Sequence, residues 1–145
     1  MTTVLRQIPA SAQTLLGSDA LAHVVTLDRN GLPQVSVVWC GVRYNDVLFC
    51  TEGGSAKVRN IKQNPRVVLS IEDEMRNAAG TQHHLVIHGV AEVLGPVDPE
   101  LCDQLCAVYA GHRDHPINLR KSPTAVTVAV HVERIGGNGP WAHGD

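Results

Sequence analysis

From Thr124 to Ile135 the chain reads T-A-V-T-V-A-V-H-V-E-R-I, a clean two-residue alternation. A period of two suits a strand with one face turned to a core, whereas the faces of a helix repeat every 3.6 residues. One strand near the C-terminus is thereby fixed, and the rest of the chain must supply its partners. Candidates recur along the sequence. Leu21 to Asp28 (L-A-H-V-V-T-L-D) reads as a strand. Asn30-Gly31, a hairpin signal, turns it back into Gln34 to Cys40. A second turn near Tyr44 to Asp46 leads to Val47 to Thr51, and these three strands are expected to form an antiparallel meander. Arg66 to Ile71 is rich in β-branched residues, and His84 to Leu94 is a strand with Gly89 as its bulge.

Three helices punctuate these strands. Pro9 to Leu16 ends near Gly17, and Ser55 to Gln63 stops before Pro65. Asp98 and Pro99 supply an N-cap and a first helical residue, with Gly111 as the stop. Glu72 to Thr81 reads as a polar connection, the segment up to Ser122 as basic and irregular, and Gly136 to Trp141 as a loop-like tail. Six strands and three helices predict a mainly β, α+β fold: an antiparallel barrel with helices at its periphery. At 145 residues, one domain spanning 1–145 is the natural expectation.

Only 3% of residues are aromatic, so the core must be aliphatic. Few rings and a formal charge of -2 argue against a nucleic-acid partner, which needs stacking platforms and a basic surface. No apolar run approaches the length of a membrane span, and Met1 to Arg6 lacks a signal-peptide pattern, so a cytoplasmic location is expected. The four cysteines read as small buried hydrophobes of a reducing compartment. Neither they nor the strand histidines His83, His84 and His88 show a standard metal-site spacing, and no metal is expected.

Thr51 to Asn60, T-E-G-G-S-A-K-V-R-N, concentrates the polar chemistry. It is a strand-to-helix turn with two glycines, a serine at the N-cap, then Lys57, Arg59 and Asn60. A helix N-terminus carries free N–H groups and partial positive charge, which suits a phosphate. Lys57 and Asn60, three apart, lie on one side of the helix. The residues alone leave two readings open: a phosphate cradle, or a plain turn beside a solvated basic face. The turn lacks both the P-loop G-K-[ST] and the dinucleotide G-x-G-x-x-G.

T-x-x-x-S-x-K-x-x-N followed by N-P-R-V-V-L-S-I, with D-R-N-G-L-P-Q-V-S-V-V-W, H-G-V-A-E-V and the tail tryptophan, resembles the pyridoxamine 5′-phosphate oxidase-like split barrels. Within them the K-x-R-N pattern and late tryptophan are most similar to the branch using the deazaflavin coenzyme F-420. The resemblance implies a six-stranded split β-barrel and a homodimer with cofactor sites at the subunit interface. Ser55, Lys57, Arg59 and Asn60 would then hold the cofactor phosphate. Val37 and Trp39 would line the ring pocket, Cys50 and Thr51 would meet the ring edge or polar tail, and Trp141 would close the pocket, from its own or from the other subunit. The implied activity is hydride transfer from reduced F-420 to a small unsaturated substrate. Alternatives are an FMN-dependent oxidoreductase, or a non-catalytic binder of flavin, F-420 or haem. The cofactor carries the redox chemistry, and no residue is assigned as catalytic.

Overall fold

The structure, a computed structural model, describes residues 7–143; residues 1–6, on which the signal-peptide reading rests, lie outside the described residues. Among the described residues there are seven strands and three α-helices: α1 (Ala10–Leu16), β1 (Ala22–Leu27), β2 (Pro33–Val38), β3 (Cys40–Arg43), β4 (Asp46–Glu52), α2 (Ala56–Gln63), β5 (Arg66–Arg76), β6 (Gln82–Pro96), α3 (Pro99–Ala110) and β7 (Ala125–Asn138). Short 3-10 turns cover Leu119–Lys121 and Pro140–His143. No described helix is long and apolar enough to cross a membrane.

All seven strands join one antiparallel sheet in the order β2-β1-β5-β6-β7-β4-β3. β2 and β3 occupy its opposite edges, yet only Trp39 separates them in sequence. The sheet must therefore curl until its edges meet at that residue, which closes a split barrel. This corrects the expectation of six strands and of a three-strand meander. The Gln34 to Cys40 run is not one strand: it breaks at Trp39, and β4 pairs with β7 rather than with β2. The hairpins on either side do form. Asp28 Oδ1 accepts the N–H groups of Asn30 and Leu32 at 2.8 and 3.0 Å, with Gly31 at φ 79°. Tyr44, at φ 58°, turns β3 into β4.

Two further segments read as irregular are strand. β5 runs on to Arg76 and β7 to Asn138, because each continues to pair with β6 beyond its apolar stretch. Gly89 lies at a register shift of the β6–β7 ladder, as expected. A Cβ there would come within 2.5 Å of the His131 carbonyl oxygen, so the close approach demands glycine.

Alternate residues of β1, β5, β6 and β7 fill the barrel: Val24, Leu69, Ile71, Leu85, Ile87, Val128 and Val130 are fully buried. α1 adds Ala12, Leu15 and Leu16 to the same core. A second, smaller cluster joins Leu48 and Ala129 of the sheet to Leu101 and Leu105 of α3, with Trp39, Cys50 and Tyr109 packed against it. α3 begins as the sequence predicts: Asp98 Oδ1 accepts the Glu100 N–H at 3.0 Å. The Arg43 guanidinium, 2.7 Å from Asp98, holds that carboxyl below its ordinary range and fastens α3 to β3.

Candidate functional site

A cavity of about 460 Å³ lies where the second cluster stops short of filling its space. Val37, Val38 and Trp39, at the crossing from β2 to β3, form one apolar wall. Leu105 and the thiols of Cys102 and Cys106, on the apolar stripe of α3, form another. Trp39 is held in place by Tyr109, whose ring stacks on it at 5.2 Å and 4°. The Tyr109 hydroxyl donates to the Ala20 carbonyl at 2.8 Å, so the ring platform is anchored from behind.

The polar end comes from β4 and α2. Cys50, Thr51, Ser55 and Lys57 all line the cavity. Lys57 Nζ donates to Thr51 Oγ1 at 3.1 Å, and no carboxylate among the described residues pairs with it. Half-burial lowers its pKa from the ordinary lysine value. Ser55 sits at the α2 N-cap with extended backbone, but its Oγ makes no capping hydrogen bond and is buried with no partner among the described residues. A cation without an anion and a hydroxyl without a partner are what an anionic group would satisfy. Glu52 also reaches the cavity, its carboxylate engaged by Ser122 Oγ at 2.9 Å and Thr124 Oγ1 at 2.6 Å.

The two glycines of the turn differ. The Gly53 N–H donates to the Thr124 carbonyl at 2.9 Å, and a Cβ there would come within 2.6 Å of that oxygen. Its need for glycine is therefore internal. A Cβ on Gly54 would meet nothing within 4 Å.

Six of the nine site residues expected from the sequence share this cavity: Val37, Trp39, Cys50, Thr51, Ser55 and Lys57. Three do not line it. Arg59 is exposed and folds back to donate to the Gly54 carbonyl at 2.6 Å. Asn60 is buried, and its Nδ2 donates to Thr26 Oγ1 at 3.0 Å and Gln34 Oε1 at 2.8 Å, tying α2 to the β1–β2 hairpin. Trp141 belongs to the barrel core at 2% exposure. Its indole N–H donates to the His84 carbonyl at 3.2 Å, and the His83 ring meets it edge-on at 5.9 Å. The expectation that Trp141 closes the pocket is corrected accordingly for its own chain. The 3-10 turn swings the ring back under the sheet, where it is fully used.

The far wall comes from residues that no motif marks. Ile117, Asn118 and Leu119 reach the cavity from the segment after α3, whereas its basic residues do not line it. Asp103 fastens this segment to α3, accepting from Asn118 Nδ2 at 3.0 Å and Arg120 at 2.6 Å. The Asp103–Arg120 pairing carries no local sequence signal, because the partners are joined through an irregular loop. Among the described residues no group of His, Cys, Asp and Glu side chains is arranged to hold a metal ion.

A family model described as pyridoxamine 5′-phosphate oxidase matches residues 8–138. No curated protein matches the sequence. Among solved structures, an F-420 reductase superposes with TM-score 0.67 at 22% identity, covering 89% of this chain and 98% of its own. A conserved hypothetical protein of Mycobacterium tuberculosis gives TM-score 0.72 at 21% identity, covering 93% and 89%. A haem storage protein of Vibrio cholerae gives TM-score 0.67 at 14% identity, covering 92% and 96%. At these identities the likeness is one of fold.

Proposed function

The chain belongs to the pyridoxamine 5′-phosphate oxidase family, and on that premise we propose that it is an oxidoreductase that binds coenzyme F-420 in the cavity at Trp39 and Lys57. The observation that carries this reading is the pairing of an unneutralised Lys57 and an unpartnered Ser55 hydroxyl with an apolar, ring-sized space. The fold likeness to an F-420 reductase favours the deazaflavin over FMN.

In this reading Lys57 Nζ and Ser55 Oγ hold the cofactor phosphate at the α2 N-terminus, where the helix dipole adds to the lysine charge. Thr51 orients the Lys57 ammonium through its hydroxyl. Trp39, fixed by Tyr109, and Val37 flank the ring and keep water from one side of it. When bound, the reduced cofactor supplies hydride to an unsaturated substrate. Ile117 and Leu119 bound the space left for that substrate.

A second copy of the chain completes the site. Val35 and Val37 are 59 and 51% exposed along edge strand β2, with Leu32 just before it 60% exposed; Val37 belongs to the cavity wall, and such an edge favours a covering partner. A mass in solution of two chains is expected; a strict monomer would count against a shared site. Titration of the purified protein with F-420, followed by fluorescence, is expected to saturate at one cofactor per chain. FMN and haem serve as parallel titrants. No response to F-420 with tight binding of haem would move the protein to the binder class.

A further inference from the structure

Two cysteines far apart in sequence meet on the cavity wall. Cys50, near the end of β4, is partly buried and lines the cavity, and the Cys102 thiol of α3 donates to its sulfur at 3.4 Å. Both thiols are free in this structure, and they occupy different elements that only the fold brings together. On the other side, the backbone N–H of Asp98 donates to Thr127 Oγ1 at 3.0 Å, which leaves the Thr127 hydroxyl proton free to turn toward Cys50. Burial pushes the Cys50 thiol well above its ordinary range, neighbouring Cys102 adds to this, and the Thr127 hydroxyl acts in the opposite sense. Burial raises Cys102 too, while its contact with Cys50 lowers it.

We propose that Cys50 and Cys102 form a redox-active dithiol on the cavity wall, oxidised by a hydroperoxide that enters the cavity to a disulfide that locks α3 to β4. Cys50, the less buried residue of the two, attacks the hydroperoxide. The O–O bond breaks, giving a sulfenic acid at Cys50 and an alcohol, or water where the oxidant is hydrogen peroxide. The Cys102 sulfur then displaces the sulfenic hydroxyl as water and forms the S–S bond. Two electrons pass from the thiols to the peroxide, and both thiol protons end in the products. The scarcity of thiolate slows the first step. The second is intramolecular and favoured by the existing contact. Cys106 lines the same cavity but is four residues from Cys102 on one helix, and Cys40 is buried elsewhere with its backbone N–H bonded to Tyr109. The pairing is therefore specific, and it does not depend on which cofactor the cavity takes.

The test is exposure of the full chain to hydrogen peroxide, followed by intact mass, thiol alkylation and peptide mapping. Wild type is expected to lose two hydrogens and two of its four alkylatable thiols. One cross-linked peptide pair should join Cys50 to Cys102, and dithiothreitol should restore both thiols. Cys50→Ser, a near-isosteric change at a partly buried position, should abolish the loss of two hydrogens; Cys40→Ser should retain it. Oxygen addition without a cross-link, four thiols still reactive, a cross-link mapping to Cys102 and Cys106, or a cross-link surviving in Cys50→Ser would each overturn the proposal. The wild-type peptide map decides the matter even where a variant fails to fold.

Discussion

The chain has two tryptophans, and the fold uses them in opposite ways. Trp141 is spent: its ring is enclosed in the barrel core and its N–H is satisfied by the His84 carbonyl. Gly139 is held to glycine by it, since a Cβ there would come within 2.4 Å of the indole. Trp39 remains available: it is half-buried, stacked on Tyr109 on one side, and faces a cavity on the other. The polar neighbours repeat the contrast. Asn60, beside the core, has its amide committed to Thr26 and Gln34, whereas Ser55 and Lys57, one turn away, keep unspent capacity. Where a region has satisfied its own groups it carries stability. Where it has left a cation and a hydroxyl beside apolar walls it has room for a ligand.

The contrast predicts a double dissociation. Trp141→Ala is expected to have the largest effect, a loss of about 3–5 kcal/mol of stability, because a ring is removed from a closed core that cannot collapse around the hole. Urea denaturation measures this. At denaturant-free conditions where the variant stays folded, F-420 affinity should hold near wild type. A large affinity loss with stability intact would reverse the assignment of the two rings. Lys57→Ala is the converse. Losing a charge-assisted contact to the phosphate should weaken F-420 binding by about 1.5–3 kcal/mol, roughly 10- to 150-fold. The urea midpoint should stay near wild type, since among the described residues the Lys57 ammonium is hydrogen-bonded to Thr51 alone.

Asn60→Ala is next in size and sharpens the boundary between the regions. It orphans the hydroxyl of Thr26, which is 1% exposed, while the exposed Gln34 regains water. A stability loss of about 1–2 kcal/mol is expected. The effect on F-420 affinity should be small beside that of Lys57→Ala. Equal losses of affinity in the two variants would mean that Asn60 also serves the phosphate.

Asn60 also shows where sequence reasoning reached and where it stopped. Spacing places Lys57 and Asn60 on one side of α2, and they are within a turn of each other. Spacing does not say that the β1–β2 hairpin covers part of that side, because a hairpin's position over a helix is a tertiary fact. Strands with clean alternation, the Asp98 cap and the Gly89 bulge were legible because each depends on local periodicity or backbone chemistry. The break at Trp39 was not. Val38, Trp39 and Cys40 continue an apolar run, and only closure of the barrel forces the chain to change edges there. The place of Trp141 within its own chain is hidden for a related reason: glycines and proline read as loop, but β6 still offers pairing partners to Gly136 and Gly137 and so carries the ring back to the core.

The smallest expected effect concerns His131, which links the two regions through β4. Its Nδ1 lies 2.9 Å from Asp46, at the start of β4, and its Nε2 lies 2.9 Å from Glu92 on β6. Glu92 first and Asp46 next hold its pKa above the ordinary histidine value, against some burial. A folded pKa raised above the unfolded one, about 6.5, means that the protonated imidazole stabilises the fold fully below that value. That contribution is lost as pH rises through the folded pKa. Its size is limited by exposure, since the Glu92 side chain is 59% open to solvent. His131→Gln should therefore flatten the fall in urea midpoint from about pH 6 to pH 8, and high salt should shrink the difference between the proteins. At fixed pH the variant should bind F-420 like wild type. The other end of β4, where Cys50 and Thr51 meet the cavity, is held by its ladder to β7, which pairs all the way from Asp46 to Glu52. A change in affinity larger than the change in stability would show that the strand transmits the His131 charge to the cavity, and that the two regions are not separate.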